Sequence, residues 1–73
     1  MLVTHTLSRD AAILRRIEDE YREMPGLVLT PEQGARLWAL PMVNVLEALH
    51  FLVVSGFLSR SPMNTYRRSD QLV

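Results

Sequence analysis

The segment LTPEQGARLWALP constrains the fold more than any other, because it predicts a short helix with both ends marked. Thr30 can cap this helix, Pro31 suits its first turn, and Gln33 stands where a capping box places Glu or Gln. Pro41 then breaks the helix, since proline cannot continue one. Its apolar residues are Ala35, Leu37, Trp38 and Leu40.

A further helix is predicted on each side of this segment. From Ser8 an apolar stripe at helical spacing leads to Pro25-Gly26, which ends the first helix. The stripe comprises Ile13, Leu14, Ile17, Tyr21 and Met24. Residues 27–29 suit a brief strand. A third helix is predicted over residues 42–55, with Gly56 as a left-handed C-terminal cap. Its core face comprises Val45, Ala48, Leu49 and Leu52.

Residues 57–60 and 65–68 flank the turn-like sequence SPMN and predict a β-hairpin. The expected fold is mainly α with a small β-hairpin, in which Trp38, Leu49, Leu52 and Phe57 are buried together. We divide the chain into an N-terminal segment at 1–7, a domain at 8–68 and a C-terminal tail at 69–73. The N-terminal segment, MLVTHT followed by Leu7, is expected to be a tail or a short strand.

Length and composition limit the function classes. A chain of 73 residues holds one small core and no deep pocket, so we expect neither an enzyme nor a small-molecule substrate. It has no cysteine, which removes disulfides and thiolate zinc sites. We expect no cofactor and no metal site. No apolar run approaches the roughly 18 residues of a membrane span. We expect a soluble cytoplasmic protein.

The order of helix, short strand, helix, helix and hairpin resembles the winged helix-turn-helix family of small bacterial DNA-binding domains. The motifs that carry this resemblance are LTPEQGARLWALP, LEALHFLVVSGFLSR and TYRR. The resemblance implies a three-helix core plus a two-stranded wing, and a role as a transcription regulator that binds double-stranded DNA. It also implies that the third helix enters the major groove while the wing contacts the backbone.

On this sequence, the resemblance assigns DNA contacts to one residue of the third helix and four of the wing: Asn44, Arg60, Asn64, Arg67 and Arg68. Arginines beside a turn suit phosphates. The helix departs from the family pattern, because Glu47 is its only formal charge and Asn44 its only natural base reader. The net charge of the chain is zero, whereas DNA-binding domains usually carry a basic patch. The predicted DNA contact is therefore dominated by the wing.

The outward face of the third helix predicts an alternative function, protein association through this fold. With the core face fixed, a homodimer interface is predicted on this face or on the N-terminal segment MLVTHT, or on both. The residues of the helix that face or flank solvent are Val43, Leu46, His50, Phe51 and Val54. An apolar outward face of this kind is normally covered by a partner. The other interpretation is a shifted helical phase, in which Leu46 and Phe51 belong to the core.

Other candidate chemistry has a structural explanation as well as a functional one. Asp19 and Glu23 lie one turn apart and could hold a metal, but neighbouring arginines predict a solvated charged face. His5 and His50 lack the spacing of a metal motif. Trp38 could stack on bases, although we expect it to fill the core between the second and third helices.

Overall fold

The computed structural model describes the backbone of residues 2–71 and the side chains of residues 11–70. Its helices are α1 (Leu2–Glu23), α2 (Pro31–Trp38) and α3 (Met42–Val54). Two strands, β1 (Leu58–Arg60) and β2 (Tyr66–Arg68), pair antiparallel, and a 3₁₀ helix follows at Ser69–Gln71. The prediction of a mainly helical chain with a small hairpin is confirmed.

The start of α2 follows the capping box in its sequence. The Gln33 amide donates to Thr30 Oγ1 (3.2 Å), and the Thr30 amide donates to Gln33 Oε1 (2.9 Å). These two bonds satisfy backbone donors that the first turn of a helix leaves free. The helix ends after Trp38, where Ala39 adopts a left-handed conformation (φ 55°, ψ 47°) and donates its N–H to the Ala35 carbonyl. Together with Pro41, this turn separates α2 from α3.

The core lies where the three helices meet the inner face of the hairpin. All four residues predicted for the core face of α3 are buried, and Trp38 is only 1% exposed. The buried apolar residues are Ile17, Tyr21, Leu29, Trp38, Val45, Ala48, Leu49, Leu52, Leu58 and Tyr66. The helical phase predicted for α3 is therefore correct.

Phe57 was expected inside this core, but it is only half-buried. Its ring packs against the core on one side, where the Tyr21 ring meets it edge-on with centroids 6.5 Å apart. The guanidinium groups of Arg22 and Arg68 lie 5.4 and 5.6 Å from its centroid. Cations lie favourably over an aromatic face, so two arginines cover the ring at the edge of the core.

Tyr66 joins α1, the 27–29 segment and the hairpin. Its amide donates to the Leu29 carbonyl (2.7 Å), and its carbonyl accepts from the Leu29 amide (3.1 Å) and from the Tyr21 hydroxyl (2.9 Å). The strand predicted at residues 27–29 is thus reduced to an isolated bridge at Leu29. This bridge places β2 between Leu29 and β1 in the described part of the chain.

Both chain ends differ from the predictions. The segment at 1–7 was expected to be a tail or a short strand, but α1 already begins at Leu2; Met1 lies outside the described residues. No proline or glycine interrupts residues 2–23, so the helix extends through β-branched residues that disfavour it by only tenths of a kcal/mol.

The C-terminal tail at 69–73 was expected to be loose, but its first residues are anchored. The Ser69 amide donates to the Phe57 carbonyl (3.1 Å), and the Ser69 and Ser59 hydroxyls lie 3.1 Å apart. Short polar side chains at the end of β2 thus continue the contacts of the sheet into the 3₁₀ helix. Residues 72 and 73 lie outside the described residues.

Candidate functional site

An open groove separates the C-terminal half of α3 from the hairpin, and we call it the basic groove. Three basic side chains line it: His50 from α3, Arg60 from β1 and Arg67 from β2. Ser59, Ser61 and Ser69 line it as well. Among the described residues that line the groove, none is Asp or Glu. The groove therefore combines basic and neutral polar side chains without an opposing charge among its described lining residues.

The hairpin turn is fixed by its own side chains. Ser61 Oγ accepts from the amides of Met63 (3.1 Å) and Thr65 (3.3 Å) and lies 2.7 Å from the Thr65 hydroxyl. Asn64 adopts a left-handed conformation (φ 62°), which asparagine tolerates better than most residues. Arg60 Nε donates to Asn64 Oδ1 (3.1 Å). Two residues predicted for DNA contact thus contact each other, and the bond holds the Arg60 guanidinium beside the groove.

The neighbouring arginines of β2 have different surroundings, because successive residues of a strand point to opposite faces. Arg68 pairs with Leu58 in the register, on the face that the core covers. Its Nη2 lies 2.8 Å from Asp70 Oδ2, and it covers the Phe57 ring. Arg67 lies opposite Ser59 and lines the basic groove. The sequence grouped Arg67 with Arg68, whereas the structure separates them.

Asn44, the predicted base reader, does not lie with the arginines. It is half-buried and lines a second groove, between α1 and α3, which we call the α1–α3 groove. Asn44 and Val53 are nine residues apart, which at about 100° per residue places them on opposite sides of α3. Val53 lines the basic groove. Asn44 and the hairpin arginines therefore flank α3 on opposite sides.

The face of α3 opposite the core is apolar and open to solvent. The exposed fractions are 61% for Val43, 44% for Leu46, 55% for Phe51 and 71% for Val54. The interpretation that Leu46 and Phe51 belong to the core is therefore wrong. His50 is also exposed, on the flank next to the hairpin. The residues predicted for an interface thus lie at the surface, with Phe51 on the α1 flank and His50 on the hairpin flank.

Tyr21 is a buried titratable group and has a structural role. Burial, and secondarily the nearby Tyr66, raise the pKa of Tyr21 well above its ordinary value of 10.0. Its hydroxyl is therefore neutral near pH 7 and serves as the donor to the Tyr66 carbonyl. Trp38 is buried with its Nε1 unpaired within the described part of the chain, so it cannot stack on bases at the surface.

The acidic residues of α1 form exposed ion pairs. Arg22 Nη1 lies 3.8 Å from Glu18 Oε1 and 3.6 Å from Asp19 Oδ1. Within the described residues, no group of three or more His, Cys, Asp or Glu side chains could hold a metal ion. The basic groove could instead bind an anion through its arginines. Sequence reasoning missed His50 as a lining residue of that groove and Asp70 as the partner of Arg68, because both depend on tertiary contacts.

No single helix in the described part of the chain is long and apolar enough to cross a membrane; α2 and α3 reach that length and apolarity only as a pair bent by 115°. The sequence matches no protein-family model, and no curated protein or solved structure matches it either.

Proposed function

We propose that this protein is a winged helix-turn-helix domain that binds the phosphate backbone of double-stranded DNA through its hairpin, without reading base sequence. The observation that carries the proposal is the basic groove: Arg60, Arg67 and His50 line it, and no described lining residue is acidic. Arginine suits phosphate oxygens because its planar guanidinium donates two parallel hydrogen bonds.

The arrangement of elements supports this fold. Three helices precede a two-stranded hairpin, and the Leu29 bridge adds a short third member to the sheet beside β2. That order agrees with the winged-helix resemblance of the sequence. The turn, fixed by Ser61 and by the Arg60–Asn64 bond, presents Arg60 without a large further loss of side-chain freedom.

The outward residues of α3 argue against insertion of that helix into the major groove. They include no Arg or Lys, and Glu47 would repel phosphates. Asn44 lies on the other flank, half-buried beside α1. Contacts to the backbone alone carry no direct sequence information. The proposed complex is therefore weakly dependent on sequence and strongly dependent on salt.

The test is a titration of labelled random duplex, followed by fluorescence anisotropy, at several salt concentrations from about 20 to 200 mM. Replacing Arg60 and Arg67 by Ala removes two phosphate contacts. The slope of log K against log salt should flatten by about 1.8, since each contact contributes about 0.9. Affinity should fall by a similar factor for unrelated duplex sequences.

The matched control replaces Arg15 and Arg16, both exposed on α1, by Ala. It changes the net charge equally but leaves the basic groove intact, so its salt slope should stay near that of the wild type. Equal effects of the two double variants would mean that general charge, not the groove, attracts the duplex. Absence of binding at 20 mM salt would refute the function itself.

A further inference from the structure

The exposed face of α3 carries five of the nine large apolar residues that are exposed in the described part of the chain, and the proposed DNA contact uses none of the five. Five exposed apolar residues lie along this helix of 13 residues: Met42, Val43, Leu46, Phe51 and Val54. Glu47 is the only formally charged residue of α3. Contiguous apolar patches on a small domain usually mark an association site. The question is which molecule covers this one.

We propose that a second copy of this chain covers it, through an antiparallel α3–α3 contact about a two-fold axis. The axis passes between Ala48 and Leu49, at the middle of the helix. It sets Val43 level with Val54 of the second copy, so that the most exposed valines meet at both ends. A two-fold interface needs a surface that complements itself, and the order of residues along α3 has this property.

The polar residues of this face follow the same symmetry. Glu47 and His50 are equally far from the proposed axis, on opposite sides of it. In the antiparallel pair, each Glu47 lies level with His50 of the second copy, and the two contacts repeat around the axis. The Glu47 carboxylate, an acceptor, thus faces the His50 ring, a donor, at two places. A register that set Glu47 against Glu47 would instead bring like charges together. The zero net charge of the chain adds no long-range repulsion between copies.

The size of α3 sets the expected strength of the contact. The helix is about 20 Å long and about 10 Å wide, a footprint well below the roughly 800 Å² per partner of a standard interface. The contact can extend on the α1 flank, where Phe51 borders the α1–α3 groove together with Ile13 and Leu14. This groove, of about 180 Å³, is smaller than most small-molecule pockets but accepts apolar side chains. We expect a dimer with a micromolar dissociation constant.

Sedimentation velocity without DNA, from about 1 to 500 µM protein, tests the proposal. The wild type should shift from monomer to dimer across this range. Leu46→Glu places a charge on the proposed contact and should weaken dimerisation at least tenfold. Leu37→Glu is the matched control: Leu37 is 51% exposed, against 44% for Leu46, but lies on α2 in another apolar patch. It should dimerise like the wild type. Circular dichroism of each variant checks that the helices remain formed.

The register is tested by cross-linking, which the absence of native cysteine makes unambiguous. Glu47→Cys and His50→Cys are made as separate variants and mixed under mild oxidation. The antiparallel register predicts that the mixture forms mixed disulfides between the two variants faster than either variant forms its own. Each mixed dimer keeps one native Glu47–His50 pair.

Three outcomes would overturn the proposal. They are a wild-type monomer at 500 µM, dissociation by Leu37→Glu with no effect of Leu46→Glu, and equal cross-linking rates in mixed and unmixed samples. None of these results involves Arg60 or Arg67, so the dimer and the DNA contact can fail independently.

Discussion

Gly34 tests the packing between α2 and the core. Glycine inside a helix normally weakens it, and replacement by alanine gains about 1 kcal/mol from helix propensity. Here an added Cβ would lie 2.6 Å from Trp38 Cζ3 and 3.1 Å from Cε3. Trp38 comes four residues later in the sequence, so its ring lies over Gly34 on the same face of α2. We therefore predict that Gly34→Ala destabilises the protein.

The magnitude follows from the shift that the ring must make. Contacts between carbon atoms are comfortable at about 3.5 Å or more, so the Trp38 ring must move by nearly 1 Å. It is 1% exposed and has core side chains around it. Overpacking of this kind costs about 1–3 kcal/mol. After the gain in helix propensity, the net loss should be about 0–2 kcal/mol. Each kcal/mol lowers the Tm of a domain this size by roughly 4–8 °C.

The assay is thermal unfolding followed by circular dichroism, with all variants at one protein concentration. Gly26→Ala serves as the control, since its Cβ would meet nothing within 4 Å and Gly26 does not have a positive φ. It should be neutral or stabilise by up to about 1 kcal/mol, because alanine restricts the unfolded chain. A Gly34→Ala protein with a Tm above that of the wild type would refute the packing argument.

Two further predictions concern hydrogen bonds of the fold. Thr30→Ala removes half of the capping box of α2 and should cost about 1 kcal/mol in urea unfolding, whereas Thr30→Ser should retain most of that stability. Tyr21 has a pKa raised by folding, so its contribution is fully present below about pH 10, the pKa in the unfolded chain, and declines as pH rises further. The wild type should thus lose stability by up to about 1.4 kcal/mol per pH unit above pH 10. Tyr21→Phe should show a shallower decline, and equal slopes would contradict this assignment.

Local signals were sufficient to predict α2 and the phase of α3. The capping box at Thr30 and Gln33 involves four consecutive residues, so it can be recognised from the sequence alone. The buried face of α3 follows from helical spacing alone. The SPMN turn was also local, because its bonds join Ser61 to residues at most four positions away. Where the deciding contact lies within a few residues, the pattern predicts the structure.

The structure differs from the expected arrangement where a distant contact decides. The separation of Arg67 from Arg68 depends on which face of β2 packs on the core, and Asp70 adds an ion pair beyond the strand. The family motif places Asn44 at a base-reading position of the helix, whereas in the structure Asn44 is half-buried and lines the α1–α3 groove. Leu29 suited a strand, yet it forms only one bridge, to Tyr66, 37 positions along the sequence. Each of these arrangements depends on tertiary packing, which the local sequence pattern does not predict.

The two proposed surfaces share only His50: the DNA contact otherwise uses the hairpin, and the dimer contact otherwise uses the outward face of α3. β1 begins four residues after α3 ends and packs against α3, so an antiparallel α3 pair carries one hairpin beside the C-terminal half of each helix. Such a dimer has two basic grooves, one on each copy. A duplex that reached both would gain from the effective concentration that the first contact creates at the second. In this arrangement α3 would join the two copies instead of reading bases. That role would account for the absence of positive charge on a helix that occupies the position of a DNA reader.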